Sequence, residues 1–290
     1  MIYSSIQEGG KMGTFENVDA AELLAKTGIP LEIVETEDDT FYHMALDMVS
    51  HISANNKLDK QTVFIVPVGP VGQYKKLVWL CGRDRISLKK TWFINMDEYL
   101  LPDGKAVPLN HPLSFEGFMK TQFYEKMDDD LNIPVNQRIF PRPGREKEIG
   151  ELIEKLGGVD VAYGGVGING HIAFNEPPEP GDNITDDEFA ALPTRTLSLS
   201  RETKTINSVT AASGYIDYIP GKCVTVGMKE ILSAKKIRLY MNRTWQNGII
   251  RKIALGEVSR FAPASFLQRH KDAKIILARY VANAPLGQLR

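Results

Sequence analysis

Short runs of β-branched and aromatic residues recur along the chain at 31–34, 62–66, 91–95, 159–163, 196–199, 223–226, 237–241 and 274–277, each with the length and content of a strand. Between most of them lie longer stretches in which apolar residues return every three or four positions, as at 41–52, 115–127, 146–156 and 245–255; these predict amphipathic helices. Strands that alternate with helices imply a mainly parallel sheet covered on both faces, because each parallel crossover needs a dozen or more residues. The predicted fold is therefore α/β and Rossmann-like. Ligands of such sheets gather beyond the carboxyl ends of the strands, which directs attention to the loops after Val66, Asn95 and Tyr163. Ahead of the regular pattern, residues 1–29 carry the turn formers Gly9, Gly10 and Gly13 and one short amphipathic stretch near 20–26, and read as a loosely attached extension to a single domain over 30–290. The acidic, proline-bearing stretch 177–188 reads as a long mobile loop in a position to serve as a lid.

Composition narrows the function. The 35 Lys and Arg against 36 Asp and Glu leave no basic excess to attract nucleic acid or anionic lipid. No apolar run is long enough to span a bilayer, and the first residues lack the order of a signal peptide, so the expected location is the cytoplasm. Cys81 and Cys223 are far apart and in no paired spacing, which predicts two buried thiols rather than a disulfide or a zinc site. No metal-ligand spacing occurs, and no metal or cofactor is expected.

Two loops carry candidate chemistry. The loop after 159–163 runs Gly164-Gly165-Val166-Gly167-Ile168-Asn169-Gly170-His171 and reaches Glu176 five residues later. Its glycines let backbone approach a ligand closely, and a His with a carboxylate nearby is an acid–base pair that titrates near neutrality. The same elements also serve purely structural loops. After 91–95 the chain delivers Asp97 and Glu98 in succession; neighbouring strand residues face opposite ways, so one of the two points into a pocket.

Three motifs together resemble one family: Asn95-Met96-Asp97-Glu98-Tyr99, His111-Pro112-Leu113-Ser114, and the run from Gly167 through Gly170-His171-Ile172-Ala173-Phe174-Asn175-Glu176-Pro177. These are similar to glucosamine-6-phosphate deaminases, also called isomerases. The likeness runs from about Leu31 to the late Ser265-Phe266-Leu267-Gln268 segment. The 6-phosphogluconolactonases share the fold and a Gly-His loop, but the continuation Ile-Ala-Phe-Asn-Glu-Pro is deaminase-like. The resemblance implies a NagB/RpiA-like fold and a small-molecule sugar as partner. It also implies aldose–ketose isomerisation of a 2-amino sugar followed by loss of ammonia. By the same likeness Asp97 is the base between C2 and C1, His171 acts in ring opening, and Glu176 assists it. The Gly165 and Gly167 backbone borders the substrate, with Glu98 beside it. Members of the family often form oligomers, which leaves a homo-oligomer open.

The sequence also departs from the family. Asn169 stands where a second carboxylate is usual, and an amide cannot stabilise an imidazolium as a carboxylate does. The first loop reads Val66-Pro67-Val68-Gly69-Pro70-Val71-Gly72, where the family has hydroxyl side chains around a phosphate; Pro70 has no N–H to give. Val209 and Trp245 fall at positions where the family carries an arginine and a lysine. Substrate is therefore expected against Val68, Gly69, Pro70, Val71 and Gly72. Arg195 and Arg243, with Arg201 and Lys204 beside them in sequence, are the candidates to supply charge; Trp245 and Tyr74 are candidates to stack on an unphosphorylated sugar. A different sugar, or a sugar-binding protein without catalysis, are the rival readings.

Overall fold

The computed structural model describes residues 18–179 and 181–285. In chain order the elements are α1 (Ala20–Lys26), β1 (Leu31–Val34), α2 (Glu37–Lys57), β2 (Thr62–Val66), α3 (Gln73–Asp84), β3 (Thr91–Asn95), β4 (Asp97–Leu100), α4 (Phe115–Gln122) and β5 (Arg138–Ile139). There follow α5 (Lys147–Lys155), β6 (Val161–Gly165), α6 (Asp186–Ala190), β7 (Arg195–Ser198), α7 (Arg201–Ala211), β8 (Lys222–Thr225), α8 (Met228–Leu232), β9 (Lys236–Met241), α9 (Gln246–Leu255) and β10 (Ala273–Ala278).

Seven strands form one sheet in the order β1-β10-β9-β6-β2-β3-β5, and every pair in it is parallel. Its central strands are apolar along their whole length, as burial on both faces requires; all five residues of β2 are buried. One face packs α2 and α3 through Met44, Met48, Leu77 and Leu80 against Phe64 and Phe93, and the other packs α9 through Ile250 and Ile253. Helix α2 starts where the sequence says it should. Thr36 and Asp39 form a reciprocal capping box, with three acidic residues in the first turn to favour the positive end of the helix dipole.

The chain adds a second sheet, β4-β8-β7, that is antiparallel. Two of the strands expected in the parallel sheet, at 196–199 and 223–226, belong here instead. The third strand, β4, which pairs with β8, was hidden because Asp97 and Glu98 read as loop carboxylates. Strand β6 starts two residues later than expected, the Asp160 carboxylate accepting the Val63 N–H at its entry. The helix expected over 115–127 stops at Gln122, where Phe123 leaves the helical region, and resumes as one 3₁₀ turn over Tyr124–Lys126.

Two expectations of looseness are corrected. Within 18–29, α1 is docked on α9: Leu23 is fully buried, and Gly28 N–H donates to the Ala254 carbonyl. The Arg251 guanidinium, itself buried, donates twice to the Val18 carbonyl and once each to those of Asn247 and Ala282. The rest of the extension lies outside the described residues. The stretch 177–188 is no free loop at its end. Thr185 and Glu188 form a capping box that opens α6, Phe189 is buried against Phe266, and Arg260 pairs with Asp186 at 3.0 Å. Among the described residues, no helix is long and apolar enough to cross a membrane.

Candidate active site

Four neighbouring strands of the large sheet, β9, β6, β2 and β3, send their carboxyl-end loops into one cavity of about 350 Å³. Loop 67–71 comes from β2, Met96 and Asp97 from the junction of β3 with β4, Gly165 to Ala173 from β6, and Asn242 to Gln246 from β9. The C-terminal half of α7 adds Asn207, Thr210 and Ala211. The alternation along β4 explains the division of labour between the two carboxylates. Asp97 and Tyr99 face the cavity, whereas Glu98 faces the other way.

Asp97 is buried, and that burial, reinforced by the nearby Glu98 charge, pushes its carboxyl well above the ordinary range. A base so raised binds a proton more tightly than a surface aspartate. Glu98 was expected against the substrate, and the structure corrects this. It is fully buried, and its two oxygens accept the N–H groups of Tyr99, Phe115 and Glu116 and the Ser114 hydroxyl, at 2.9–3.0 Å. Its work is to hold the N-terminus of α4, whose cap is that same Ser114. The His111-to-Ser114 motif is thus the other half of a structural clasp.

His171 lies in the cavity with its ring over Gly167, where a Cβ would fall 2.1 Å from Nε2; a side chain there would expel the imidazole. Gly170, at φ +90°, makes the turn that brings the His back onto the loop. His171 Nδ1 is 3.3 Å from Glu176 Oε2 and 3.3 Å from the Thr203 hydroxyl, so Nε2 is the ring nitrogen left for a ligand. Burial pushes the Glu176 carboxyl up, but the hydrogen bond and charge of His171, with help from Asn169 and Thr203, outweigh it and hold the group at about 2.

Asn169 does not touch the imidazole. Its amide donates to Glu176 Oε2 at 2.7 Å, and its carbonyl oxygen accepts the His171 backbone N–H at 3.3 Å. A carboxylate in that place would face another carboxylate. Sequence reasoning missed Ser200 and Thr203. Ser200 caps α7 while its hydroxyl donates to Glu176 at 3.1 Å, and Thr203 is fully buried beside the His. The signal was the Ser200-x-x-Thr203 spacing of a helix start, which says nothing of what else the cap oxygen meets. Tyr99 and Asn207, which pair at 2.9 Å in the cavity wall, were also missed.

The remaining candidates divide. Val68, Gly69, Pro70, Val71, Gly165, Gly167, Arg243 and Trp245 all line the cavity. Gly72 does not; the Phe41 ring covers it so closely that a Cβ would lie 2.2 Å from Cδ2. Tyr74 is fully buried, with its hydroxyl donating to the Pro67 carbonyl, and stacks on nothing in the cavity. Arg201 and Lys204 are absent from the wall. Arg195 is the second correction. It donates to Asn175 Oδ1 at 2.6 Å and lines a separate, larger cavity of about 600 Å³ on the far side of Glu176, one that contains neither Asp97 nor His171. Cys81 and Cys223 are buried, and burial pushes the Cys81 thiol up to about 12.

Comparison with known proteins bears on what this site does. The chain is 32% identical over 217 residues to a glucosamine-6-phosphate deaminase of Mycoplasma mycoides, an alignment that takes in 74% of this chain and 81% of that protein. It is 32% identical over 218 residues to the deaminase of the same name from Bacillus pumilus, covering 72% of this chain and 81% of the relative. Among solved structures, a monomeric glucosamine-6-phosphate deaminase of the NagB superfamily superposes with a TM-score of 0.75 at 24% identity, over 88% of this chain and 99% of that one. The 6-phosphogluconolactonase of Plasmodium vivax superposes with a TM-score of 0.62 at 16% identity, over 91% and 97%. No model of a protein family matches the sequence.

Proposed function

The chain belongs to the glucosamine-6-phosphate deaminase family, and from that premise we propose that it isomerises a 2-amino aldose to the ketose and releases ammonia. One observation supports this above the others: Asp97 and His171 enter one cavity from the ends of β3 and β6, the two strands that flank β2, and Glu176 is hydrogen-bonded to His171 Nδ1, which leaves Nε2 for a ligand. In this reading His171 moves the proton that opens the sugar ring, and Glu176 stabilises the imidazolium that forms. Asp97 takes the proton from C2; the C–H electrons form the C1–C2 double bond as the carbonyl oxygen is protonated. Asp97 then gives C1 a proton that has exchanged with solvent on its carboxyl, and the nitrogen on C2 becomes an imine. Water adds to C2, and ammonia leaves with the proton it needs. Asp97 is suited to both halves of the transfer because burial raises its proton affinity, which favours the protonated form it passes through.

The same reading takes residues 30–290 as one catalytic domain with 1–29 as its extension, acting in the cytoplasm. It is tested by ammonia release from glucosamine 6-phosphate and from glucosamine, side by side, with Asp97→Asn as the control. Turnover of either sugar that falls at least a thousandfold in Asp97→Asn is the expected result. Turnover that survives the substitution removes Asp97 from the chemistry.

A further inference from the structure

We propose that the cavity selects an amino sugar whose far end is an uncharged hydroxyl rather than a phosphate; this rests on the amino-sugar reading of the site and names its substrate class. Loop 67–71 presents Val68, Pro70 and Val71 to the cavity, and Pro70 lacks an N–H. Two long helices start close by, and such starts are where phosphates usually settle. Neither start is open. At α3, Gly72 lies beneath Phe41, Gln73 and Tyr74 are fully buried, and none of the three reaches the cavity. At α9, the first N–H groups are spent on the preceding turn: Gln246 donates to the Arg243 carbonyl at 2.9 Å and Asn247 to that of Thr244 at 3.4 Å.

Charge points the same way. Among the described residues that line the cavity Arg243 is the one Lys or Arg, and its Nη1 is 3.1 Å from the Glu37 carboxylate. A phosphate, carrying about −1.5 to −2, would compete with Glu37 for that cation and would share the cavity with Asp97. What the wall does offer is neutral. Trp245 brings an uncharged indole to the wall, the kind of side chain that suits the apolar side of a pyranose. Asn207 and Thr210 add further uncharged groups.

The test uses the full-length protein with glucosamine and glucosamine 6-phosphate at matched ionic strength. Binding is measured by calorimetry on Asp97→Asn, and ammonia release on the unsubstituted enzyme. Glucosamine is expected to bind at least tenfold more tightly than its phosphate and to show the higher kcat/KM. Trp245→Lys, which sets an unpaired cation in the wall, is expected to improve phosphate binding at least tenfold. Val71→Lys does the same from an exposed position, should the indole be needed for folding. Tighter binding of the phosphate overturns the inference, as does a tenfold loss of phosphate affinity in Arg243→Gln with glucosamine unaffected. Binding of neither sugar overturns it too. Preferential binding of glucosamine without ammonia release upholds the charge preference and sinks the catalytic reading instead.

Discussion

Glu98→Gln separates a structural carboxylate from a catalytic one at adjacent positions. In the native protein Glu98 Oε1 accepts from Tyr99 and Phe115, and Oε2 from Glu116 and Ser114. An amide has one acceptor oxygen. Turned toward Tyr99 and Phe115, it sets its NH₂ against the Glu116 N–H; turned the other way, it opposes two N–H groups. At least one buried donor is orphaned, and the remaining bonds lose the help of the charge. With charge-assisted bonds worth roughly 1.5–3 kcal/mol and an orphan costing roughly 1–3, the substitution destabilises the fold by about 2–4 kcal/mol. In thermal terms, for a chain of this length, this is a fall of roughly 3–7 °C in Tm. Glu98 also raises the Asp97 carboxyl, so removing its charge moves the acid limb of the kcat/KM profile to lower pH. Urea titration and a pH–rate profile below the melting range read both effects. Unchanged stability with a hundredfold loss of kcat/KM at every pH would refute this reasoning and return Glu98 to the substrate.

Asp97→Asn removes a buried carboxylate whose charge the fold resists; the variant is expected to be inactive yet to melt higher than the unsubstituted protein, read by calorimetry. Holding Glu176 at about 2 against an ordinary 4.5 is worth on the order of 3 kcal/mol, present in full above about pH 5 and lost as pH falls toward 2. Glu176→Gln is thus expected to cost that much at pH 7 and little at pH 2, by denaturant titration at the two values. Asn169→Asp places a second carboxylate where an amide now donates at 2.7 Å; the Glu176 carboxyl rises, and the acid limb of the stability profile moves to higher pH. Arg251→Ala strips donors from three carbonyls and is expected to cost roughly 3–5 kcal/mol, with new proteolytic cleavage near residues 18–29.

The centre of the parallel sheet was legible because its inner strands are buried on both faces and written almost wholly in apolar residues, a signal local to each strand; the two-residue edge strand β5 is too short and too polar to carry it. The small antiparallel sheet was not. β4 starts with two carboxylates, one for the cavity and one for a helix terminus, and nothing in Asp97-Glu98 tells which neighbour each will meet. Alternation settled only that they part. His171 and Glu176 are five residues apart, and one glycine-shaped turn brings them together; Ser200 and Thr203 complete the same network from more than twenty residues away, which no local pattern reports. Arg195 misled for the converse reason. Proximity in sequence to α7 put it near the cavity, but β7 lies at the edge of the small sheet and turns it toward Asn175.

The most direct test of the account follows the C2 proton itself. Glucosamine and glucosamine 6-phosphate are incubated with the enzyme in D₂O and watched by proton NMR. The account predicts loss of the C2 proton signal and deuterium at C1 of the ketose for the sugar that is turned over, with both changes abolished in Asp97→Asn. Retention of the C2 proton while ammonia is released, or exchange that continues without the Asp97 carboxylate, would contradict it.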